Sequence, residues 1–430
     1  MRIIKNILDF LLKKDFTKNL ITMYTGAIIG QIIALLIVPL LTRIFSAEQF
    51  GDMALYVSMA NVLGLISTFL YDKAIVLSKD EDEAFHTSVI SSSFVLLFAF
   101  ICFFVILIFH NSFVQLLDAK RISIYLYFLP LSIIFLGFGR VFQGWFNFLK
   151  KYKILSVNRI VQISSTNFTN FLLGLIFRPQ TLLLFIGNIF SQFMTSFMFI
   201  FYISKNKLIN FKNISFSKIK KLIIEYRSFP FYTMPMVLLN SISLDILIYT
   251  LNINYSPEMV GYYVNSRRMM YYPLTLLSVS FTTVFYKKMV DTDKKIKLYL
   301  SSYFINLAMA FFILIPIVFF GKEIYVFILG KNWALSGTMA IILAPFVAFN
   351  YATQTISDVF AATKRNEILL IWQIFYLFLA LAVILFFKYL DLLDLLKIFT
   401  IYGSIMYIIL AIVGYFTLKN HVFKLSIDKK

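Results

Sequence analysis

Apolar residues run along this chain in blocks of about twenty, separated by short polar stretches rather than alternating with polar positions. A helix needs about 20 apolar residues to cross a hydrocarbon core about 30 Å thick. Twelve such blocks lie near 18–42, 52–71, 88–109, 122–146, 156–177, 181–204, 228–252, 260–283, 298–320, 338–361, 368–388 and 395–418. Lipid offers the backbone no hydrogen bonds, so segments this long are helices and not open strands. The pattern predicts an all-α membrane protein with twelve transmembrane helices.

Composition agrees. Of 430 residues, 60% are hydrophobic and 14% charged, with a mean hydropathy of +0.83; soluble chains are about 45–50% apolar and about 25% charged. The net charge of +19 would raise nucleic acid as a partner for a soluble protein. Here the basic residues sit between apolar blocks, so their reading is topological and no nucleic acid is expected. With the N-terminus inside, inside segments carry 28 Lys and Arg; outside segments carry 7, namely Arg43, Lys120, Arg121, Arg178, Lys322, Lys331 and Lys388. That bias places both termini in the cytoplasm of a multi-pass membrane protein. Arg2, Lys5, Lys13 and Lys14, interleaved with Ile, Leu and Phe, read as a cytoplasmic amphipathic segment rather than a cleaved signal.

The longest polar stretch, 205–227, contains seven Lys and Arg. It separates an N-terminal lobe (1–204) from a C-terminal lobe (228–430), each of six helices. Ser46-Ala47-Glu48-Gln49-Phe50-Gly51 follows the first span, and Ser256-Pro257-Glu258-Met259-Val260-Gly261 follows the seventh. Both read S-x-E-x-x-G. Six spans separate them, so both face the same side. That arrangement predicts parallel halves related by an axis along the membrane normal.

Polar residues inside spans mark the candidate site, because they are costly there. The first span holds Gly26 and Gly30, a pair spaced for close helix packing, with Gln31 and Pro39. The second contributes Asn61. Arg140 lies in the inner part of the fourth. In the fifth, Arg159, Gln162, Thr166 and Asn170 recur at spacings of 3 and 4 and share one face; they line either a lumen or a neighbouring helix. The tenth carries Asn350 and Gln354. Asp245 on the seventh span and Arg267 and Arg268 on the eighth stand at equal depth, roughly 10 Å inside the outer boundary, which permits an ion pair. One arginine is then left over; Arg268 is the one read as facing a cavity and an anionic group. The inventory is cationic and suits a phosphate-bearing substrate.

No G-x-x-x-x-G-K-[ST] loop for nucleotide phosphates is present. Cys102 is the single cysteine, and His86, His110 and His421 lack ligand spacing. The chain therefore reads as a transporter and not an enzyme, with no metal or cofactor expected.

Asn19, Gly26, Gln31, Pro39, Leu41, Thr42, Arg43 and Gly51 resemble the first-span signature of the Wzx-type O-antigen and polysaccharide flippases of the multidrug/oligosaccharidyl-lipid/polysaccharide exporter superfamily. The polar connection Asn147–Lys153 with Ser156, Arg159 and Gln162 is similar to theirs, as is the run Gly330, Trp333, Gly337 and Pro345. Arg268, five residues before Pro273, resembles a motif of the related flippases for peptidoglycan precursors. The resemblance implies two six-helix lobes around a central cationic cavity, alternating access, and a place in the bacterial inner membrane. It implies an undecaprenyl-diphosphate-linked oligosaccharide, such as an O-antigen repeat unit of lipopolysaccharide, moved from the cytoplasmic to the outer leaflet. Arg268, Arg159 and Arg140 would then contact pyrophosphate or sugar. Polysaccharide polymerase and chain-length machinery would be partners beside the phospholipid bilayer. Three other readings stand: a multidrug or small-molecule antiporter of the same superfamily, which needs more buried acids; a membrane-embedded polymerase, which needs a large outer loop; and a scaffold, which needs no polar stripes.

Overall fold

The computed structural model describes residues 14–206, 214–291, 295–363 and 365–427. The N-terminal amphipathic segment over Arg2, Lys5 and Lys13 lies outside them. Among the described residues there is no strand. The principal helices are α1 (Lys14–Ile44), α2 (Ala47–Ile66), α3 (Tyr71–Leu77), α4 (Glu81–Leu116), α5 (Leu129–Phe148), α6 (Tyr152–Ile176) and α7 (Thr181–Lys205). They continue with α8 (Phe216–Glu225), α9 (Met234–Asn254), α10 (Pro257–Asp291), α11 (Lys295–Leu329), α12 (Ala334–Gln354), α13 (Asn366–Phe387) and α14 (Leu392–Ile427).

Nine helices among the described residues are long and apolar enough to span a bilayer, and the bent pair α2–α3 makes ten. The two remaining expected spans, α6 and α10, are helices of 25 and 35 residues. Their polar side chains, the same ones singled out as candidate site residues, keep them below the hydropathy of the others. The all-α, twelve-span expectation therefore holds, with helices of spanning length at all twelve places.

The second span is not straight. α2 and α3 meet at an angle of 50°, where Phe69 and Leu70 take left-handed φ values of 50° and 57°, a conformation that costs side-chain-bearing residues about 1–2 kcal/mol each. Thr68 offsets the break. Its hydroxyl accepts the Leu70 N–H at 3.2 Å and donates to Asp72 Oδ1 at 2.6 Å.

The chain divides into two compact units, Met1–Gly261 and Tyr262–Lys430. In the first, α1 lies against α6 so closely that a Cβ on Gly26 would stand 2.4 Å from the Ser156 carbonyl oxygen, which is what a small-residue pair at that spacing permits. α9 packs on α2: Ser58 Oγ donates to Asp245 Oδ2 at 2.7 Å and lies 2.9 Å from the Tyr249 hydroxyl. Within the basic stretch 205–227, α8 docks on the α3–α4 end. Leu222 is buried with Tyr71 and Ile90, and Lys218–Asp82 and Lys79–Glu225 ion pairs at 2.6 and 2.8 Å flank it.

The second unit is tied by aromatic donors to the carbonyls of neighbouring helices. Tyr325 donates to Ser266 at 2.7 Å, Tyr299 to Ala411 at 2.8 Å and Trp372 to Met406 at 3.1 Å. Such rings fill an apolar interior and satisfy their one polar atom in place.

Candidate functional site: arginines among tyrosines

On α10, Tyr263, Arg267 and Tyr271 follow one another at intervals of four residues, so they share a face. Arg267 Nη1 donates to the Tyr263 hydroxyl at 3.2 Å. Its guanidinium carbon lies 5.5 Å from the centre of the Tyr263 ring and 5.7 Å from that of Tyr271. Each such cation–π contact contributes about 0.5–2 kcal/mol, more as water is excluded. The Tyr271 hydroxyl donates to Asn350 Oδ1 on α12 at 2.8 Å, and Asn350 is 1% exposed. The Tyr407 hydroxyl on α14 is within hydrogen-bonding reach of Asn350 and Gln354 and within the field of Arg267. The Tyr376 ring packs, tilted, against Tyr407 at 5.8 Å and Tyr402 at 5.4 Å.

Three expected residues, Arg267, Asn350 and Gln354, thus meet in the second unit through a tyrosine cluster. Arg268, next along α10, is half-buried and has no hydrogen-bond or ion-pair partner among the described residues. An unpartnered guanidinium on a spanning helix costs about 2.5–3.5 kcal/mol on insertion scales. Its planar fork of donors matches a phosphate.

The first unit holds the other candidates in separate places. Asp245 is held by Ser58, and Arg267 is engaged by Tyr263 and Tyr271, so each member of the pair permitted by depth has partners inside its own unit. Exposed Arg159 donates to Gln162 Oε1 at 2.7 Å. Gln162 and Thr166 of that polar row are half-buried, and Asn170 is buried. Thr166 hydrogen-bonds the Gln162 carbonyl at 3.0 Å, and Ser191 of α7 donates to the same carbonyl at 2.7 Å. Asn170 is 6% exposed and faces Gly187 of α7, where a Cβ would stand 1.9 Å from its Oδ1. Half-buried Arg140 on α5 sits in the field of Asp72. Gln31 is half-buried on α1, and Asn61 is exposed on α2.

The sequence reading passed over the tyrosines and Ser58. The spacing of Tyr263, Arg267 and Tyr271 was a visible signal; Tyr376, Tyr402 and Tyr407 come from distant helices and carried none.

No curated protein matches the sequence. Among solved structures, the chain is similar to one described as the lipid II flippase MurJ in an inward closed conformation, with a TM-score of 0.71 and 16% identity over 95% of this chain and 90% of that one. It is also similar to an inward-facing multidrug resistance MATE family transporter of the MOP superfamily (TM-score 0.64, 16% identity, 94% and 95% covered). A third likeness is to a MOP superfamily transporter from Pyrococcus furiosus described by a binding pocket of reversed polarity (TM-score 0.62, 17% identity, 97% and 98% covered). At these identities the likeness establishes the fold, an all-α transporter fold. Residues 16–286 match the family model described as polysaccharide biosynthesis protein. That match covers more than half of the sequence, including both arginines of α10, and on it the chain belongs to the polysaccharide biosynthesis protein family.

Proposed function

We propose that this protein is a flippase. Its substrate is an undecaprenyl-diphosphate-linked oligosaccharide, such as an O-antigen or other surface-polysaccharide repeat unit. It carries the sugar head from the cytoplasmic to the outer leaflet of the bacterial inner membrane by alternating access. The supporting observation is the arginine pair of α10, with Arg267 set against tyrosine faces and Arg268 half-buried beside it without a partner among the described residues. Arg268 has no ion-pair partner among the described residues, and such a half-buried guanidinium favours a diphosphate over an organic cation. Hydroxyl and amide groups of the same cluster are suited to sugar hydroxyls. Membership of a polysaccharide biosynthesis family supports the sugar, and the fold shared with a lipid II flippase supports the lipid carrier.

The 28-to-7 excess of inside Lys and Arg supports termini in the cytoplasm. A polymerase and chain-length machinery are the partners that a newly flipped repeat unit would meet. The test is transport by Arg268→Ala and Arg268→Lys at equal membrane abundance. The reading expects the Ala variant to lose about tenfold or more, equivalent to about 1.4 kcal/mol, and the Lys variant to keep part of it. Wild-type transport by Arg268→Ala would overturn it.

A further inference from the structure

Within the first unit, α8 has three edges, and two of them are occupied. On its apolar face Leu222 is buried, and Ile219 and Ile223 pack in one cluster with Tyr71, Ile90 and Phe94. Tyr71 donates to the Ile223 carbonyl at 3.0 Å, and the Ser215 N–H donates to His86 Nε2 at 3.2 Å. Lys218 and Glu225 stand seven residues apart, two helical turns, and so share a second edge. There they pair with Asp82 and Lys79. Phe216, Lys220 and Ile224 follow one another at intervals of four residues along the third edge. Phe216 is 86% and Ile224 55% exposed. Lys220, Lys221 and Arg227 are exposed too, with no ion pair among the described residues.

Depth gives the direction of that edge. Lys79 and Asp82 lie at the turn into α4, which starts at Glu81. Ile90 and Phe94 lie eight and twelve residues past Asp82, about 12 and 18 Å further into the span at ~1.5 Å per residue. The ion-paired edge of α8 therefore points to the water end of α4, and the edge of Phe216, Lys220 and Ile224 points to the bilayer. The end of α8 is held at that surface as well, because only three residues separate Glu225 from the spanning segment Phe229–Asn254. Phe231 and Tyr232 are exposed at the start of that segment, where a membrane boundary favours aromatic residues.

This composition matches a charged lipid surface. The Phe216 ring and Ile224 side chain suit the boundary between headgroups and acyl chains, and a lysine stem can lie along them with its ammonium among the phosphates. Residues 205–227 carry seven Lys and Arg against one acid, Glu225. A basic cluster of that size beside a span is attracted to anionic lipid and is indifferent to a zwitterionic surface of no net charge.

We propose that α8 binds the headgroups of anionic phospholipid in the adjoining leaflet through Phe216, Lys220, Lys221, Ile224 and Arg227. This lipid site is separate from the arginine–tyrosine site and does not depend on what the protein transports. The experiment uses the full chain in phosphatidylcholine vesicles with two photoprobes at equal mole fraction, a phosphatidylglycerol and a phosphatidylcholine. Each carries a diazirine near the headgroup end of one acyl chain, and labelled residues are mapped by mass spectrometry. The phosphatidylglycerol probe should label residues 216–227 about tenfold more than the phosphatidylcholine probe. Molar salt should remove most of that difference, because it shortens the reach of charge to about 3 Å. Lys220→Gln combined with Lys221→Gln should lower the phosphatidylglycerol labelling about tenfold, equivalent to about 1.4 kcal/mol, while Lys331→Gln in the second unit should leave it unchanged. If the double variant does not fold, the salt comparison on the wild type decides. Equal labelling by the two probes, a difference that molar salt leaves intact, or full labelling of a folded double variant overturns the proposal. Labelling that falls as the protein-to-lipid ratio rises also overturns it, since that assigns the edge to a second copy of the chain.

Discussion

Gly51 and Gly261 pack reciprocally. A Cβ on Gly51 would stand 1.6 Å from the Pro257 carbonyl oxygen, and a Cβ on Gly261 would stand 1.7 Å from that of Ala47. The sixth residue of each S-x-E-x-x-G copy thus meets the carbonyl of the second residue of the other, as a two-fold relation between the copies requires. Their serines act alike as well. Ser46 Oγ accepts the Gln49 N–H at 3.3 Å, and Ser256 Oγ accepts the Met259 N–H at 3.4 Å. The sequence repeat is therefore a contact between two capped helix starts.

Gly51→Ala and Gly261→Ala should each destabilise the protein by about 1–3 kcal/mol, because a backbone carbonyl has to retreat from the new methyl group. Thermal unfolding in detergent measures this. The double variant should fall short of the sum of the singles, since both act on one contact. Two unperturbed single variants would show that the helices separate there at little cost.

Tyr271 offers a way to divide ring from hydroxyl. Tyr271→Phe keeps the face 5.7 Å from Arg267 and removes the donor to buried Asn350. The expected loss is about 1–3 kcal/mol of stability, the desolvation cost of a buried group left unpaired, with transport largely retained. Tyr271→Leu removes the ring as well and should weaken transport further at equal abundance. Equal transport by both variants would detach the ring from function.

Ser58→Ala strips Asp245 of its hydroxyl donor inside a spanning helix. A hydrogen bond to a charged carboxylate contributes about 1.5–3 kcal/mol. The variant should lose about that much stability, and Asp245→Asn with Ser58 intact should lose less, since a neutral amide costs less to hold in the bilayer.

Docking of α8 should depend on pH in one direction. The hydrogen bond from Lys79 holds the Glu225 carboxyl below its ordinary value of 4.5. A group lowered in the folded state contributes stability that is complete above its unfolded pKa and is lost as pH falls through the folded one. Hydrogen-exchange protection of residues 218–225 should stay level from neutral pH down to the ordinary carboxylate range and then decline below it. Glu225→Gln should reduce that decline, and the Lys218–Asp82 pair should keep the rest of it.

Legibility followed physical scale. A membrane imposes twelve stretches of fixed length, so the spans could be read directly, and the two least apolar of them, α6 and α10, carried the polar residues on which the site reading rests. Gly26 and Gly30 announced a close helix contact and make one with α6. Asn170 was harder: its spacing fits a lumen and a helix interface equally, and only the fold puts Gly187 opposite it. The break at Phe69–Leu70 carries no Gly or Pro to mark it; Thr68 and Asp72 support it through side chains. α8 was hidden because a helix of ten residues with lysines on its solvent side resembles a basic loop. Tyrosines 376, 402 and 407 meet α10 by tertiary packing, which no local pattern records.

The central claim is tested most directly by translocation in proteoliposomes. A purified polyprenyl-diphosphate-linked oligosaccharide with a radiolabelled sugar is placed in the inner leaflet, and the sugar exposed to an external glycosidase is counted over time. With the wild-type protein the exposed fraction should rise well above that of protein-free vesicles, and Arg268→Ala should return it close to that background. Exposure no faster than in protein-free vesicles, from folded protein at normal density, would contradict the account.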